Sequence, residues 1–124
     1  MSAPRTRADW QAMADGLQLR TRAFIDGQYV DAADGRTFAC TSPIDGRVLG
    51  QVARCGQADV ERAVRAARRS FEAGHWSRAK PVKRKKVLQR LTALIEQHAD
   101  ELALLETLDM GKPIDDARNV DLAA

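Results

Sequence analysis

Four of the 124 residues carry the side chains that most readily ligate metals or act as nucleophiles near neutral pH: Cys40, Cys55, His75 and His98. Structural zinc sites set paired ligands a few residues apart, and no two of these four have that spacing. His98 stands near a predicted helix junction and reads as a partly exposed packing or capping residue. A cysteine becomes a nucleophile when a helix N-terminus or a nearby base lowers its pKa. Cys55 does precede a predicted helix start, yet neither cysteine has a helper residue identifiable from sequence. No Gly-x-Gly-x-x-Gly or Walker-type loop is present to cradle a phosphate. Side-chain types and spacing alone therefore reveal no reaction.

The densest charge is basic: Lys80, Lys83, Arg84, Lys85, Lys86 and Arg90. One reading makes it the footprint of a standalone helical module that binds nucleic acid. The other makes it the solvated face of an amphipathic helix, with lysine stems covering apolar surface. No aromatic stacking platform accompanies the run, which favours the second. The net charge of +3 and pI near 9.2 are mild for a dedicated nucleic-acid binder.

The elements that position these residues follow from periodicity. Val87, Leu88, Leu91, Leu94 and Ile95 recur at i, i+1, i+4, i+7 and i+8, one stripe of an amphipathic helix beginning near Pro81. Leu102, Leu105 and Leu108 continue it, with a break expected near His98 to Asp100. Gly111 suits a left-handed C-terminal cap, and Pro113 cannot extend that helix but can start the next, with Asp115 and Asp116 in its first turn. Upstream, Gly56 reads as an N-cap with Asp59 three residues on, followed by an apolar face of Val60, Ala63, Val64, Ala67 and Phe71. Gly74 ends that helix.

Residues 23–54 change period. Asp26-Gly27 lies between short apolar or aromatic runs, a strong signal for a two-residue hairpin. Asp34-Gly35 and Asp45-Gly46 repeat it around Thr37 to Cys40 and Val48 to Val52. The segment reads as a meander of short antiparallel strands that stops before a sheet closes, leaving edges in need of a partner. Residues 1–22 form a polar leader, partly helical, with Trp10, Met13 and Leu17 on one side. Residues 55–124 are helical.

With 44% hydrophobic residues the chain is globular in composition and has room for one domain. No apolar run approaches the roughly 20 residues needed to span a bilayer, and Met1 to Trp10 lacks the apolar core of a secretory signal. Two cysteines do not make a disulfide framework, so free thiols and a cytoplasmic location are expected.

The ending Glu106-Thr107-Leu108-Asp109-x-Gly111-Lys112-Pro113, preceded by His98 to Leu105, resembles the N-terminal region of the NAD(P)-dependent aldehyde dehydrogenases. Phe24-Ile25-Asp26-Gly27-Gln28-Tyr29 resembles that family's opening hairpin, and Ser42-Pro43-x-Asp45-Gly46 its Asn-Pro-x-x-Gly turn. Asp59-Val60-x-x-Ala63-Val64-x-Ala66-Ala67-Arg68-x-x-Phe71, followed by Trp76, is similar to its first long helix. The leader from Asp9 to Arg22, with Lys83-Arg84-Lys85-x-Val87-Leu88, is most similar to the members that oxidise γ-glutamyl-γ-aminobutyraldehyde or related aminoaldehydes in putrescine breakdown.

The resemblance implies an α/β fold. This chain would supply the N-terminal part of a Rossmann-like coenzyme domain, with the parallel sheet lying outside it. It implies attack of a cysteine thiolate on an aldehyde, hydride transfer to NAD or NADP, thioester hydrolysis, and assembly as a homo-oligomer. The family's nucleophile, general base, oxyanion-hole asparagine and coenzyme-phosphate glycines all fall beyond the position of Ala124. No catalytic or coenzyme-binding residue is therefore expected here, and the isolated chain is expected to be an inactive portion of the enzyme. A non-catalytic interaction subunit is the further alternative. One family feature does map: a monovalent cation held by the carbonyl oxygens of Cys40 and Thr41 and the carboxylate of Asp109. Hard cations favour such oxygen ligands. The alternative for Asp109 is a carboxylate bonded to loop N–H groups.

Overall fold

A computed structural model describes residues 5–122. Helix α1 spans Arg7–Gly16 and starts with a reciprocal cap that the sequence reading overlooked. Thr6 Oγ1 accepts the Asp9 N–H at 3.3 Å, and Asp9 Oδ2 accepts the Thr6 N–H at 2.7 Å. The Thr6 hydroxyl and N–H, each donating to Asp9 Oδ2 at 2.7 Å, hold the Asp9 carboxyl below its usual range.

Strands β1 (Ala23–Ile25) and β2 (Gln28–Val30) form the expected tight hairpin. Asp26 and Gly27 both take positive φ, 55° and 78°, as a type I′ turn requires. Phe24 and Tyr29 pair across it with ring centroids 5.0 Å apart. Strands β3 (Thr37–Thr41) and β4 (Val48–Ala53) form a second antiparallel hairpin.

The described strands are thus two separate hairpins rather than one continuous meander. The physical reason lies in the connection after β2. Asp34 Oδ1 accepts the Arg36 N–H at 2.9 Å in a local turn, and the Ala33 N–H is taken by Asp59 at 3.0 Å. Backbone that would have continued the ladder is committed to docking a helix.

That helix, α2 (Gln57–Ala73), begins at Gly56. Asp59 is only 3% exposed, and its second oxygen accepts the Gly56 N–H at 3.0 Å. One carboxylate caps the helix and binds it to the connection after β2. Arg69 adds an ion pair to Asp26 at 2.7 Å. Gly74 closes α2 in the left-handed conformation, φ +76°.

Helices α3 (Pro81–Gln97) and α4 (Ala99–Met110) break at His98, inside the window the sequence marked. His98 sits at φ −105°, ψ 16° and serves as C-cap of one helix and N-cap of the next. Its ring meets the Glu101 carboxylate at 3.2 Å and makes no cap hydrogen bond to the start of α4. A one-turn helix α5 (Ile114–Asp116) restarts after Pro113 and runs into a π-helical turn, Ala117–Asp121.

The core is small. Ala103, Leu104 and Leu108 of α4 are buried with Ala117, and Ile25, Ala32, Ser42, Asp59 and Gly74 are the other buried residues among those described. The apolar faces of α2 and α3 are largely uncovered. Val60, Val64 and Phe71, and likewise Val82, Leu88 and Leu91, are more than half exposed. Side chains patterned for burial remain in water along two long helices.

Candidate functional site

The Ser42 to Gly46 turn and the end of α4, read separately in the sequence, meet in space. Ser42 is buried and organises the turn. Its N–H donates to the Arg47 carbonyl and its own carbonyl accepts the Gly46 N–H, both at 2.9 Å. Its Oγ accepts the Ile44 N–H at 3.2 Å. Gly46 supplies the positive φ, +74°, and the turn presents Pro43 outward.

Gly111 ends α4 with φ +74°, and its N–H donates to the Thr107 carbonyl at 2.9 Å. A Cβ placed there would lie 3.1 Å from Pro43 Cγ. Only a residue without a side chain allows the helix end to approach the turn this closely. Lys112, paired with Asp121, fastens the segment beyond.

The same junction brings two of the three predicted cation ligands together. Cys40 Sγ donates to Asp109 Oδ1 at 3.3 Å. Asp109 thus has the Cys40 thiol as partner instead of the loop N–H groups offered as its alternative. Thr41 adjoins them at a break in register: Cys40 pairs with Gly50 but Thr41 with Val48, leaving Leu49 as the extra residue of a β-bulge. An open groove of about 780 Å³ runs alongside, lined by Leu19, Thr21, Val52, Leu102 and Leu105 as well as Cys40 and Asp109.

The electrostatics decide what Cys40 can do. Its hydrogen bond to the Asp109 carboxylate, reinforced by desolvation, pushes the thiol pKa up from the ordinary value of 9.0. A thiolate there would face a carboxylate, so the thiol stays protonated. That is the reverse of nucleophile activation. Cys55 is an exposed free thiol in the turn before α2. Among the described residues no three His, Cys, Asp or Glu side chains cluster to hold a metal ion, and His75 and His98 do not converge. No described helix is long and apolar enough to cross a membrane. Lys80, Lys83, Lys85, Lys86 and Arg90 are exposed along α3, on a helix whose apolar stripe is also in water.

No local signal announces the contacts of Cys40 with Asp109 or of Pro43 with Gly111. Each residue type is ordinary, and the first pair is 69 positions apart. Two glycine-bearing turns pack on one another at this junction, with the Asp109 carboxylate and the Cys40 thiol beside them.

The sequence profile of the aldehyde dehydrogenase family matches residues 29–124, and this chain belongs to that family. Aminoacetaldehyde dehydrogenase of Pseudomonas aeruginosa is 50% identical over 117 residues, 94% of this chain and 24% of that protein. The solved γ-glutamyl-γ-aminobutyraldehyde dehydrogenase of Burkholderia cenocepacia is 60% identical with a TM-score of 0.91, covering 93% of this chain and 23% of that one. Indole-3-acetaldehyde dehydrogenase of P. syringae, solved with NAD+, is 55% identical with a TM-score of 0.93, covering 96% and 24%. The chain thus spans about a quarter of the length of the relatives it matches.

Proposed function

We propose that the chain acts as the N-terminal portion of an aldehyde dehydrogenase that oxidises γ-glutamyl-γ-aminobutyraldehyde, or a related aminoaldehyde, to the carboxylate. The observation that carries this reading is the close seating of Gly111 on Pro43 within a chain 60% identical to a γ-glutamyl-γ-aminobutyraldehyde dehydrogenase. In this reading residues 1–22 are a leader, 23–54 the strand segment and 55–124 the helical part of an incomplete coenzyme domain. The complete enzyme is a cytoplasmic homo-oligomer. NAD or NADP, when bound, accepts the hydride. No residue of this chain is assigned to the coenzyme or to the bond-making steps, and the protonated thiol of Cys40 is not assigned the nucleophile's role.

What these residues contribute is position. The Asp109 carboxylate and the Cys40 and Thr41 carbonyls would give a monovalent cation such as sodium or potassium an all-oxygen donor set. A cation there competes with the Cys40 thiol for Asp109. Its test is thermal stability in sodium or potassium against choline chloride. A rise specific to the small cations that Asp109→Asn abolishes supports the site, and equal stability in all three salts removes it.

The catalytic reading is tested by fusing this chain to the remaining three-quarters of the Burkholderia relative and following NADH formation with the aminoaldehyde. Turnover by the fusion and none by the 124-residue chain is expected. NADH production by the chain alone overturns the proposal, as does a folded fusion without activity. Reading the coding frame past Ala124 for a Gly-Gln-x-Cys motif is an independent check.

A further inference from the structure

Helix α1 is held apart from the body it covers. It has no buried residue, and its inward stripe of Trp10, Met13, Ala14 and Leu17 is only half-buried. Two open cavities lie beneath it. One, about 550 Å³, is bounded by Trp10 and Ala14 on the helix and by Ile44, Leu104, Thr107 and Ile114 on the body. The other, about 590 Å³, separates Ala14 and Leu17 from Val48, Leu49 and Leu108. Thr107 Oγ1, on the wall of the first, is buried without a hydrogen-bond partner. Apolar contact therefore does little to seat this helix.

Charge does more. Arg5 donates through Nε and Nη2 to Asp100 Oδ2 at 2.8 and 2.7 Å, joining positions 95 apart. Arg118 Nε meets the other oxygen of Asp100 at 3.0 Å, so one carboxylate at the start of α4 is shared by two guanidiniums. The Arg5 guanidinium also lies 5.4 Å from the Trp10 ring centroid. Arg5 is thereby clasped between the first turn of α1 and the first turn of α4.

We propose that α1 is a strap fastened by the Arg5–Asp100–Arg118 ion cluster, and that it lifts as a unit when the cluster is broken, opening the cleft above the Ser42 to Ile44 turn and the Gly111 to Ile114 segment. The inference does not depend on the catalytic reading. Salt screens the fastening because its members are partly exposed, with side-chain exposures of 37% for Arg5 and 22% for Asp100. The dry contacts of α4 are screened far less.

The test is amide hydrogen exchange by mass spectrometry on the 124-residue chain, comparing peptides covering 7–16 with peptides covering 99–110. Arg5→Gln removes the strap's hand and leaves the Asp100–Arg118 pair. It is expected to speed exchange in α1 about fivefold, the release of one partly exposed ion pair, with α4 unchanged. About 0.5 M potassium chloride is expected to act on the parent chain in the same way, and to add little to Arg5→Gln. Asp115→Asn, an exposed carboxylate on the rim of the same cleft, is expected to leave α1 unchanged. Unchanged α1 exchange in Arg5→Gln overturns the proposal. So does equal acceleration of α1 and α4, which would make the cluster part of the α4 fold rather than a fastening.

Discussion

Gly111→Ala tests the junction of α4 with the Ser42 to Gly46 turn most directly. Two separate costs arise. An L-residue at φ +74° is strained by about 1–2 kcal/mol, of which about 0.5–1 kcal/mol is returned because alanine also restricts the unfolded chain. The new Cβ would then stand 3.1 Å from Pro43 Cγ, closer than ordinary carbon contacts, and pushing the turn aside costs about 1 kcal/mol more. The sum is about 2 kcal/mol, or roughly a thirtyfold increase in local opening. Native-state hydrogen exchange at the buried Leu104 and Leu108 amides reads that opening without requiring a clean global transition. Gly27→Ala is the matched control. Its φ is +78°, but nothing lies within 4 Å of the added atom, so only the smaller backbone cost applies and it falls on the β1–β2 hairpin. If Gly111→Ala changes α4 exchange by no more than about threefold, the close approach of helix end and turn is not what holds them together.

Asp59→Ala leaves the Gly56 and Ala33 N–H groups without their shared acceptor, at an expected cost of about 2–3 kcal/mol, read as accelerated exchange in the first turn of α2 and in residues 31–36. Asp109→Asn removes the main cause of the raised Cys40 pKa. Alkylation of Cys40 at a fixed pH just below 9.0 is expected to speed up, and an unchanged pH profile would refute the hydrogen bond. The sign for stability follows. A thiol whose folded pKa is raised contributes below its ordinary pKa, and that contribution is lost as pH rises through the folded value. Contact between β3 and α4 should therefore loosen on the alkaline side of 9.0, and faster α4 exchange there is the check. The uncovered faces of α2 and α3 predict low stability and concentration-dependent association for the isolated chain. A cooperative thermal transition from a monomer of constant mass would contradict this.

Local features were legible because local physics sets them. Asp26-Gly27 requires two positive φ angles and obtained them. The apolar period located α2, α3 and α4, and His98 marked the break between the last two. The short antiparallel strands are legible from their turn signals, but those signals report only that the chain reverses, not which strands pair afterwards, so the split into two hairpins is not. Asp59 shows why: expected in the first turn of α2 three residues after the Gly56 cap, it also accepts the Ala33 N–H, and that bond draws the connection away from the sheet. The Thr6–Asp9 cap was visible as Thr-x-x-Asp but lay in a stretch with little apolar pattern to draw attention to it. The hydrogen bond between the Cys40 thiol and Asp109 needed the fold, because the two lie 69 positions apart. The clasp of Arg5, Asp100 and Arg118 was beyond reach, because arginines and aspartates are abundant here and charge pairing across 95 positions leaves no periodic trace.

The wide separation of these clasps sets the order in which the chain can assemble. Its hairpins close over two to six residues and its helices over single turns, events of microseconds or less. Joining α4 to the β3–β4 hairpin, or Arg5 to Asp100, requires closing loops of 69 and 95 residues, with their entropy lost before any contact compensates. Docking of α4 is therefore the kinetic bottleneck, and the transition state is sought at the meeting of Gly111 with Pro43. Substitutions there slow folding, while changes within the β1–β2 hairpin mainly alter the rate of unfolding.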